Sequence, residues 1–393
     1  MSMTVRNTIC MIAYANYFTD ARIKNYVSAL LKEGWEVDVF ALGESEPTQA
    51  GLRVFCLMRK AWSRYVWVYL LAQITFLVVA TFRVGLSHLQ RRYVLVHVHN
   101  IPDFIVFAAL IPKLMGAKIV LDIHDTMPEA YATKFDLALT HPLIGLVRFE
   151  ERLSAAFADH VVTTNDLHKE ALVDHGLSAN KISVIMNLGN EIIFRPRPYP
   201  NPHEGLVLAY HGTIAARLGI DLILQAIERV RTVCPRLSFI LIGDGDFKPT
   251  VMQLISDYGL QDIVQVEGWV PVERLPEHLV HADFGVVGNR RYTEERHNWM
   301  LPVKMLEYAA MEIPTIAPRL RIIQHYFDDT NAIFYEPDNA EDLARCIREV
   351  YDHRDKLNAL RAGLRAFNAR YNWATMEQRY LHLITDLTGT VEN

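Results

Sequence analysis

Leu301-Pro302-Val303-Lys304-Met305-Leu306-Glu307-Tyr308-Ala309-Ala310-Met311-Glu312-Ile313-Pro314-Thr315-Ile316-Ala317 reads as a helix that runs into a strand. Pro302 suits the first turn of a helix, where the ring presets φ and the missing N–H is no loss. Thr315 to Ala317 is a short run of the kind that fills a buried strand. A helix feeding such a strand is half of a βαβ unit, and the same alternation extends in both directions along the chain. Strands are predicted at Val207 to His211, Leu237 to Ile242, Ile263 to Val266, Phe284 to Val287 and Ile333 to Tyr335. The first half has its own set at Thr8 to Ala15, Val37 to Ala41, Val94 to Val98, Lys118 to Asp122, His160 to Thr164 and Ile182 to Ile185. Alternation of this kind builds parallel sheets with helices on both faces. The fold class expected is therefore α/β, with two doubly wound domains.

A chain of 393 residues exceeds the size at which one core keeps growing, which agrees with two domains. Pro196, Pro198, Pro200 and Pro202 stand at every second position between Asn190 and Gly205, the composition of a semi-rigid extended linker. The expected division is a first domain over 1–190, a linker over 191–205, a second domain over 206–370 and a final helical segment over 371–393 that crosses back onto the first. With 51% apolar and 22% charged residues the chain is globular, and a net charge of -5 gives no general reason to expect nucleic acid. Cys10, Cys56, Cys234 and Cys346 form no CxxC pair, which argues against a zinc or redox site and fits a reducing cytoplasm. Only Arg6 precedes the apolar run at Thr8, and no small-residue cleavage site follows it, so that run reads as a first strand and not a signal peptide.

Charge is unevenly placed. From Gly51 to Val120 nine basic residues (Arg53, Arg59, Lys60, Arg64, Arg83, Arg91, Arg92, Lys113 and Lys118) face one acid, Asp103. Inside this stretch Tyr65 to Phe82 carries no charge over 18 residues, about 27 Å of helix at roughly 1.5 Å per residue. Length alone admits a membrane span. A span would, however, separate the strands at Thr8 and Val37 from those at Val94 and Lys118, which belong to one sheet. A helix lying in the bilayer interface, flanked by cations that suit anionic headgroups, avoids that conflict; an ordinary buried helix is the alternative. The expected partner is a membrane, touched peripherally through residues near 59–92.

Ligands of doubly wound sheets bind beyond the carboxyl ends of the strands. Tyr210-His211-Gly212-Thr213 closes one strand, and the next helix begins near Gly219 and Ile220. Glycines at such a turn let backbone N–H groups approach a phosphate, and Arg217 in the same loop offers a cationic fork. A second turn, Gly243-Asp244-Gly245-Asp246, follows the next strand. Its Asp-x-Asp resembles a metal-binding pair, but Gly and Asp are also what a tight turn needs for backbone reasons. The helix after Pro302 can aim its first N–H groups at an anion, and Glu307 can accept hydrogen bonds from two ribose hydroxyls; alone, Glu307 would read as a surface glutamate of an amphipathic helix. His97 and His99 alternate onto one strand face, a metal pair by type, although packing explains His97 more simply.

Together these motifs resemble a known family. His211-Gly212-Thr213, Ile242-Gly243-Asp244-Gly245, Glu267-Gly268-Trp269-Val270 and Leu301-Pro302-x-Lys304 through Glu307-Tyr308 to Ile313-Pro314 are similar to the nucleotide-sugar domain of family 4 retaining glycosyltransferases, which have the GT-B fold of two Rossmann-like domains facing a central cleft. Asp20-Ala21-Arg22, His97-Val98-His99-Asn100-x-Pro102-Asp103 and Leu121-Asp122-Ile123-His124-Asp125 are similar to that family's acceptor domain. The resemblance implies a nucleotide-sugar donor, Glu307 on its ribose, Gly212, Thr213, Gly243, Gly245, Pro302 and Val303 around the nucleotide and diphosphate, and His124 on the donor sugar. Arg217, Lys304 and His124 would be the catalytic groups. No metal or cofactor is expected, since cations and helix N-termini can neutralise a diphosphate. The acceptor expected is a lipid-linked saccharide in polysaccharide or glycolipid assembly, at the inner face of the membrane. The alternative readings are a nucleotide-sugar 2-epimerase, which shares the fold, and a catalytically silent GT-B-like binding protein. The pattern departs at three places: Trp299 stands where the family has a second glutamate, Thr213 and Leu218 where it has a basic pair, and Ala15-Asn16-Tyr17-Phe18 where it has two glycines. Arg290, Arg291, Glu294 and Glu295 are candidates to take over the roles of those family residues.

Overall fold

The computed structural model describes residues 7–44, 49–59, 66–135, 137–188, 191, 193–197, 205–291 and 299–389. Lys60, Arg64, Tyr65, Asn190, Pro198, Pro200, Pro202, Glu294 and Glu295 lie outside the described residues. The chain divides into two compact units, Met1–Asn187 with Met376–Asn393, and Leu188–Thr375.

In the first unit seven strands, β1 (Thr8–Asn16), β2 (Glu36–Leu42), β3 (Leu52–Met58), β4 (Leu95–His99), β5 (Lys118–Asp122), β6 (His160–Thr163) and β7 (Ile182–Val184), form one sheet in the order β3-β2-β1-β4-β5-β6-β7. Every neighbouring pair is parallel. The buried strands read as near-continuous apolar runs because both faces are covered. The helix Val66–Arg91 and two later helical segments, Asp103–Leu114 and Pro142–Phe157, pack on one face. On the opposite side Tyr26, from the helix Ala21–Lys32, meets Tyr380 of the last helix, Trp373–Thr388, at 4.4 Å between ring centroids.

The strand β3 is absent from the sequence expectation. It is an edge strand whose residues after Leu52 are only half-buried, so it lacks the apolar run that marks the others. The uncharged stretch that ends at Phe82 continues as helix to Arg91. This helix is long and apolar enough to cross a membrane, yet β3 before it and β4 after it share one hydrogen-bonded sheet. A single crossing would tear that sheet apart.

In the second unit β8 (Leu206–His211), β9 (Leu237–Ile242), β10 (Val264–Glu267), β11 (Phe284–Val286), β12 (Thr315–Pro318) and β13 (Ala332–Tyr335) form a six-stranded sheet in the order β10-β9-β8-β11-β12-β13. The strand order reverses between β8 and β11, which is where open α/β sheets bind ligands. The turns after β8 and β9 are built by glycine: Gly212 has φ 110° and Gly243 φ 143°, and a Cβ on Gly243 would lie 1.9 Å from the Gly212 carbonyl oxygen. Only side-chain-free residues let the two turns close on each other.

Candidate functional site

The second unit gathers its predicted residues at the carboxyl ends of β8 and β9. Gly212 and Thr213 are exposed there. The backbone ties the two glycine turns together, Gly212 N–H donating to Ile242 at 3.0 Å and Ile214 N–H to Asp244 at 2.9 Å. The Asp244 side chain accepts from Gly245 N–H at 2.8 Å and faces Lys248 at 3.6 Å. That is turn chemistry with a lysine as counter-ion, and it accounts for Asp244.

The helix Val303–Ala310 begins one residue later than the sequence suggests, with Pro302 as its N-cap and no side chain capping it. Its position is fixed by Tyr308, whose hydroxyl donates to Ala209 at 2.9 Å. The Tyr308 ring packs against Gly285, where a Cβ would come within 2.4 Å of it. The neighbours of Tyr308 are thereby aimed at the end of β8. Glu307 accepts from His211 Nε2 at 2.6 Å, a pair that joins residues 96 positions apart. A carboxylate offers about four lone-pair directions, so this bond leaves Glu307 capacity for a further donor.

Lys304 extends over the Tyr210 ring, Nζ 3.6 Å from its centroid, and an added Cβ on Gly212 would stand 3.9 Å from that nitrogen. A cation over an aromatic face is attracted by the ring quadrupole. The ammonium itself is buried without a hydrogen-bond partner, although the rest of the side chain is partly exposed. Burial lowers its pKa to about 7; Glu307 pulls it upward and Arg217 pushes it further down. Arg217 is exposed in the loop that ends at Gly219, where the helix Ile220–Val230 starts without a side-chain cap. Arg290 is held by Asp221 and by Asp338 at 3.2 Å, and Arg291 N–H donates to Asp338 at 3.0 Å. These contacts fasten the loop to the body of the unit.

In the first unit His124 follows β5, with its backbone N–H donating to the Asn100 side chain at 3.1 Å. Burial, and then Arg22, keep its imidazole well below the ordinary histidine range, so it is neutral. Beside it lies a buried ion-pair core. Asp122 accepts from His99 Nδ1 at 2.9 Å and faces Arg22 at 3.2 Å. Burial alone would raise the Asp122 pKa; Arg22 and His99 reverse this and hold it well below the usual carboxylate range. His97 packs against both Tyr26 and Tyr380, with its Nδ1 3.0 Å from the Tyr380 hydroxyl. His97, His99 and Asp122 do bring potential ligand atoms within 4.8 Å of one another. The Arg22 guanidinium already supplies the cation this carboxylate needs, and it would repel a metal ion at the same spot.

Sequence reasoning gave no separate role to Tyr210 under the ammonium, to His211 as partner of Glu307, or to Tyr308 as the pin of the helix. The spacing of His211 to the glycine turn was visible; its partner, three strands and 96 residues along the chain, was not.

The two units can be compared with known proteins. Residues 205–353 match the family described as Glycosyl transferases group 1, and residues 19–187 match the Glycosyl transferase 4-like domain. The chain belongs to these glycosyl transferases. This glycosyl transferase is 24% identical over 292 residues to a phosphatidylinositol N-acetylglucosaminyltransferase subunit of Arabidopsis thaliana, with an alignment covering 74% of this chain and 61% of the relative. It is 22% identical over 323 residues to the Debaryomyces hansenii chitobiosyldiphosphodolichol beta-mannosyltransferase, covering 73% and 67%. The chain thus spans about 60% of the length of the first curated relatives it matches. Among solved structures, Thermosynechococcus elongatus sucrose-phosphate synthase aligns with a TM-score of 0.76 at 18% identity over 98% of this chain and all of that one. Anabaena HepE in complex with UDP aligns with a TM-score of 0.72 at 14% identity, over 97% of this glycosyl transferase and 100% of that chain. At such identities the likeness is one of fold, and the fold is GT-B with two Rossmann-like units.

Proposed function

We propose that this chain is a retaining, metal-independent glycosyltransferase that moves a sugar from a nucleotide-sugar donor to a lipid-linked saccharide, working peripherally on the inner face of a membrane. The observation that carries this reading is the buried, unpartnered Lys304 ammonium beside the open turn at Gly212. A buried polar group without a partner is costly, and an anion brought to that turn would satisfy it. Arg217 and the uncapped helix starts at Ile220 and Val303 add positive potential. In the second unit Glu307 would take the ribose hydroxyls, with Gly212, Thr213, Gly243, Gly245, Pro302 and Val303 as the wall around the nucleotide. Trp299 takes no role in this reading.

The chemical demand is charge stabilisation: as the bond from sugar to diphosphate breaks, negative charge builds on the leaving oxygen, and preorganised cations lower that barrier. Lys304 and Arg217 would supply it, without a metal ion. For His124, a neutral imidazole, the donor-sugar role is the one that the resemblance to family 4 implies. Retention rests on the resemblance to family 4. The lipid-linked acceptor is favoured by the two relatives, whose names carry phosphatidylinositol and a diphosphodolichol, and by the apolar helix Val66–Arg91.

A thermal-shift panel of nucleoside diphosphates with a chelator present tests the core of this reading. Specific binding at a hundredfold excess over Kd stabilises by about 2.7 kcal/mol. Failure of every diphosphate to raise the melting temperature would overturn the nucleotide-sugar reading, and a requirement for a divalent ion would overturn the metal-free one. The anomeric configuration of the product, read by NMR, decides retention.

Replacing Glu307 separates two roles. Glu307→Ala should weaken nucleoside diphosphate binding by about 1.5–3 kcal/mol through lost hydrogen bonds to a charged group. It should also lower stability by about 1–3 kcal/mol, because His211, only 2% exposed, loses its partner. Glu307→Gln keeps an acceptor for His211 and should restore most of the stability but not the affinity. Full affinity in Glu307→Ala by calorimetry would remove Glu307 from the site.

A further inference from the structure

Three helical segments cover one face of the first unit's sheet: Val66–Arg91, Asp103–Leu114 and Pro142–Phe157. Their inward residues, among them Phe76, Val84, Ile105 and Ala155, share one core with β1, β4 and β5. The three are neighbours. A Cβ on Gly85 would lie 2.5 Å from Ile111, and Phe107 meets Phe157 edge to face at 5.1 Å. Helices laid side by side on one face of a sheet turn their outer sides the same way.

Those outer sides are apolar. On the long helix Trp67, Leu71, Ile74, Val78 and Phe82 make a stripe at helical spacing, with Trp67 and Phe82 each 66% exposed. On the second, Leu114 is 78% exposed. On the third, Leu143, Leu146, Phe149 and Leu153 repeat the stripe, with Leu146 62% and Phe149 60% exposed. A patch this continuous marks a surface that meets something apolar.

Charge says what it meets. Among the described residues of these helices no acid faces outward: Asp103 and Glu151 are buried, and Glu150 accepts from Ser154 at 2.6 Å. At the rim Lys113 is paired with Asp159 at 3.1 Å, while Arg83 of the long helix and Arg152 of the third are exposed, Arg152 also donating to the His175 carbonyl. Apolar side chains flanked by cations, with no outward acid among them, are the complement of an anionic phospholipid surface; a second copy of the same face would bring like charges together.

We propose that the whole three-helix layer, and not the long helix alone, is the docking surface for an anionic phospholipid bilayer, with the sheet of the first unit lying along the membrane. This deepens the membrane reading above and rests on it. The helix Pro142–Phe157 is the new part. It lies far along the chain from the uncharged stretch and is too short and too interrupted to be suspected of membrane contact by composition.

Co-sedimentation with phosphatidylcholine vesicles, with and without phosphatidylglycerol, tests it. Wild-type protein should bind the phosphatidylglycerol vesicles more tightly, and Trp67→Glu and Phe149→Glu should each lower partitioning about 10-fold or more. Nucleoside diphosphate thermal shifts, which read the other unit, should be unchanged in both. If Phe149→Glu fails to fold, Leu146→Glu tests the same face. A loss in Trp67→Glu with none on the third helix overturns the three-helix layer and leaves the long helix as the contact. No effect of either overturns the membrane reading as well. A concentration-dependent dimer that Phe149→Glu dissolves, seen by light scattering, would replace the bilayer with a second copy of this chain.

Discussion

Lys304→Met is expected to lower sugar transfer about 10²–10³-fold, the usual loss when one preorganised donor is removed from a site of developing charge. Methionine keeps the length and apolar contact of the stem over Tyr210 and removes only the ammonium, so the fold should stand. Stability should show this through pH. In the free wild-type protein the Lys304 pKa is lowered to about 7 from an ordinary 10.5. Between these values the unfolded chain holds the proton and the folded chain does not, so this group's contribution to stability rises as pH rises through that window. Lys304→Met should lack that rise. A bound diphosphate reverses the balance by favouring the charged amine, so affinity should weaken as pH climbs above 7, and binding should take up a proton. Calorimetry in buffers of differing ionisation enthalpy measures the uptake. A pH-independent affinity in the wild type, matched by the variant, would take Lys304 out of the anion site.

Arg22→Leu should destabilise the first unit by about 3–5 kcal/mol, the range for leaving one partner of a buried ion pair alone. Arg22 is 8% exposed and Asp122 1%, and burial raises the carboxylate's pKa once the guanidinium is gone. For a unit of this size the loss corresponds to roughly 6–20 °C in melting temperature. The contribution of the depressed Asp122 carboxyl is present above the ordinary carboxylate range and fades as the group takes up its proton in acid, so the loss should shrink at acidic pH. The variant should therefore lag the wild type most at neutral and alkaline pH. A melting temperature within a degree or two of wild type across that range would show that Arg22 is not the charge that makes Asp122 tolerable. Nucleoside diphosphate binding, which belongs to the second unit, is the control.

Much of the fold could be read from local pattern. The buried parallel strands are near-continuous apolar runs, and Gly212 and Gly243 stand where only a residue without Cβ adopts the required φ. The edge strand β3 escaped because half-burial leaves no run to recognise, and the long helix outlasted its uncharged stretch because His88 and Tyr93 anchor its end in the fold, Tyr93 N–H donating to His88 at 3.1 Å. The motif residues were legible as a set, but not their grip on one another. Glu307 was read as a carboxylate for a ribose, and the folded chain also gives it His211; Arg290 was read as a stand-in for missing family residues, and its hold on Asp221 and Asp338 could not be seen.

By itself, then, the order of apolar runs, helix patterns and glycine turns determined the two parallel sheets and the ends at which chemistry sits, because those signals depend on residues close in sequence. Tertiary structure alone decided which charges are buried and with whom: Lys304 on Tyr210, Glu307 on His211, Arg22 on Asp122, and which sides of three helices stay bare. Such pairings join residues far apart in the chain, and burial, the quantity that sets their pKa and their energy, does not exist until the sheets and helices have packed.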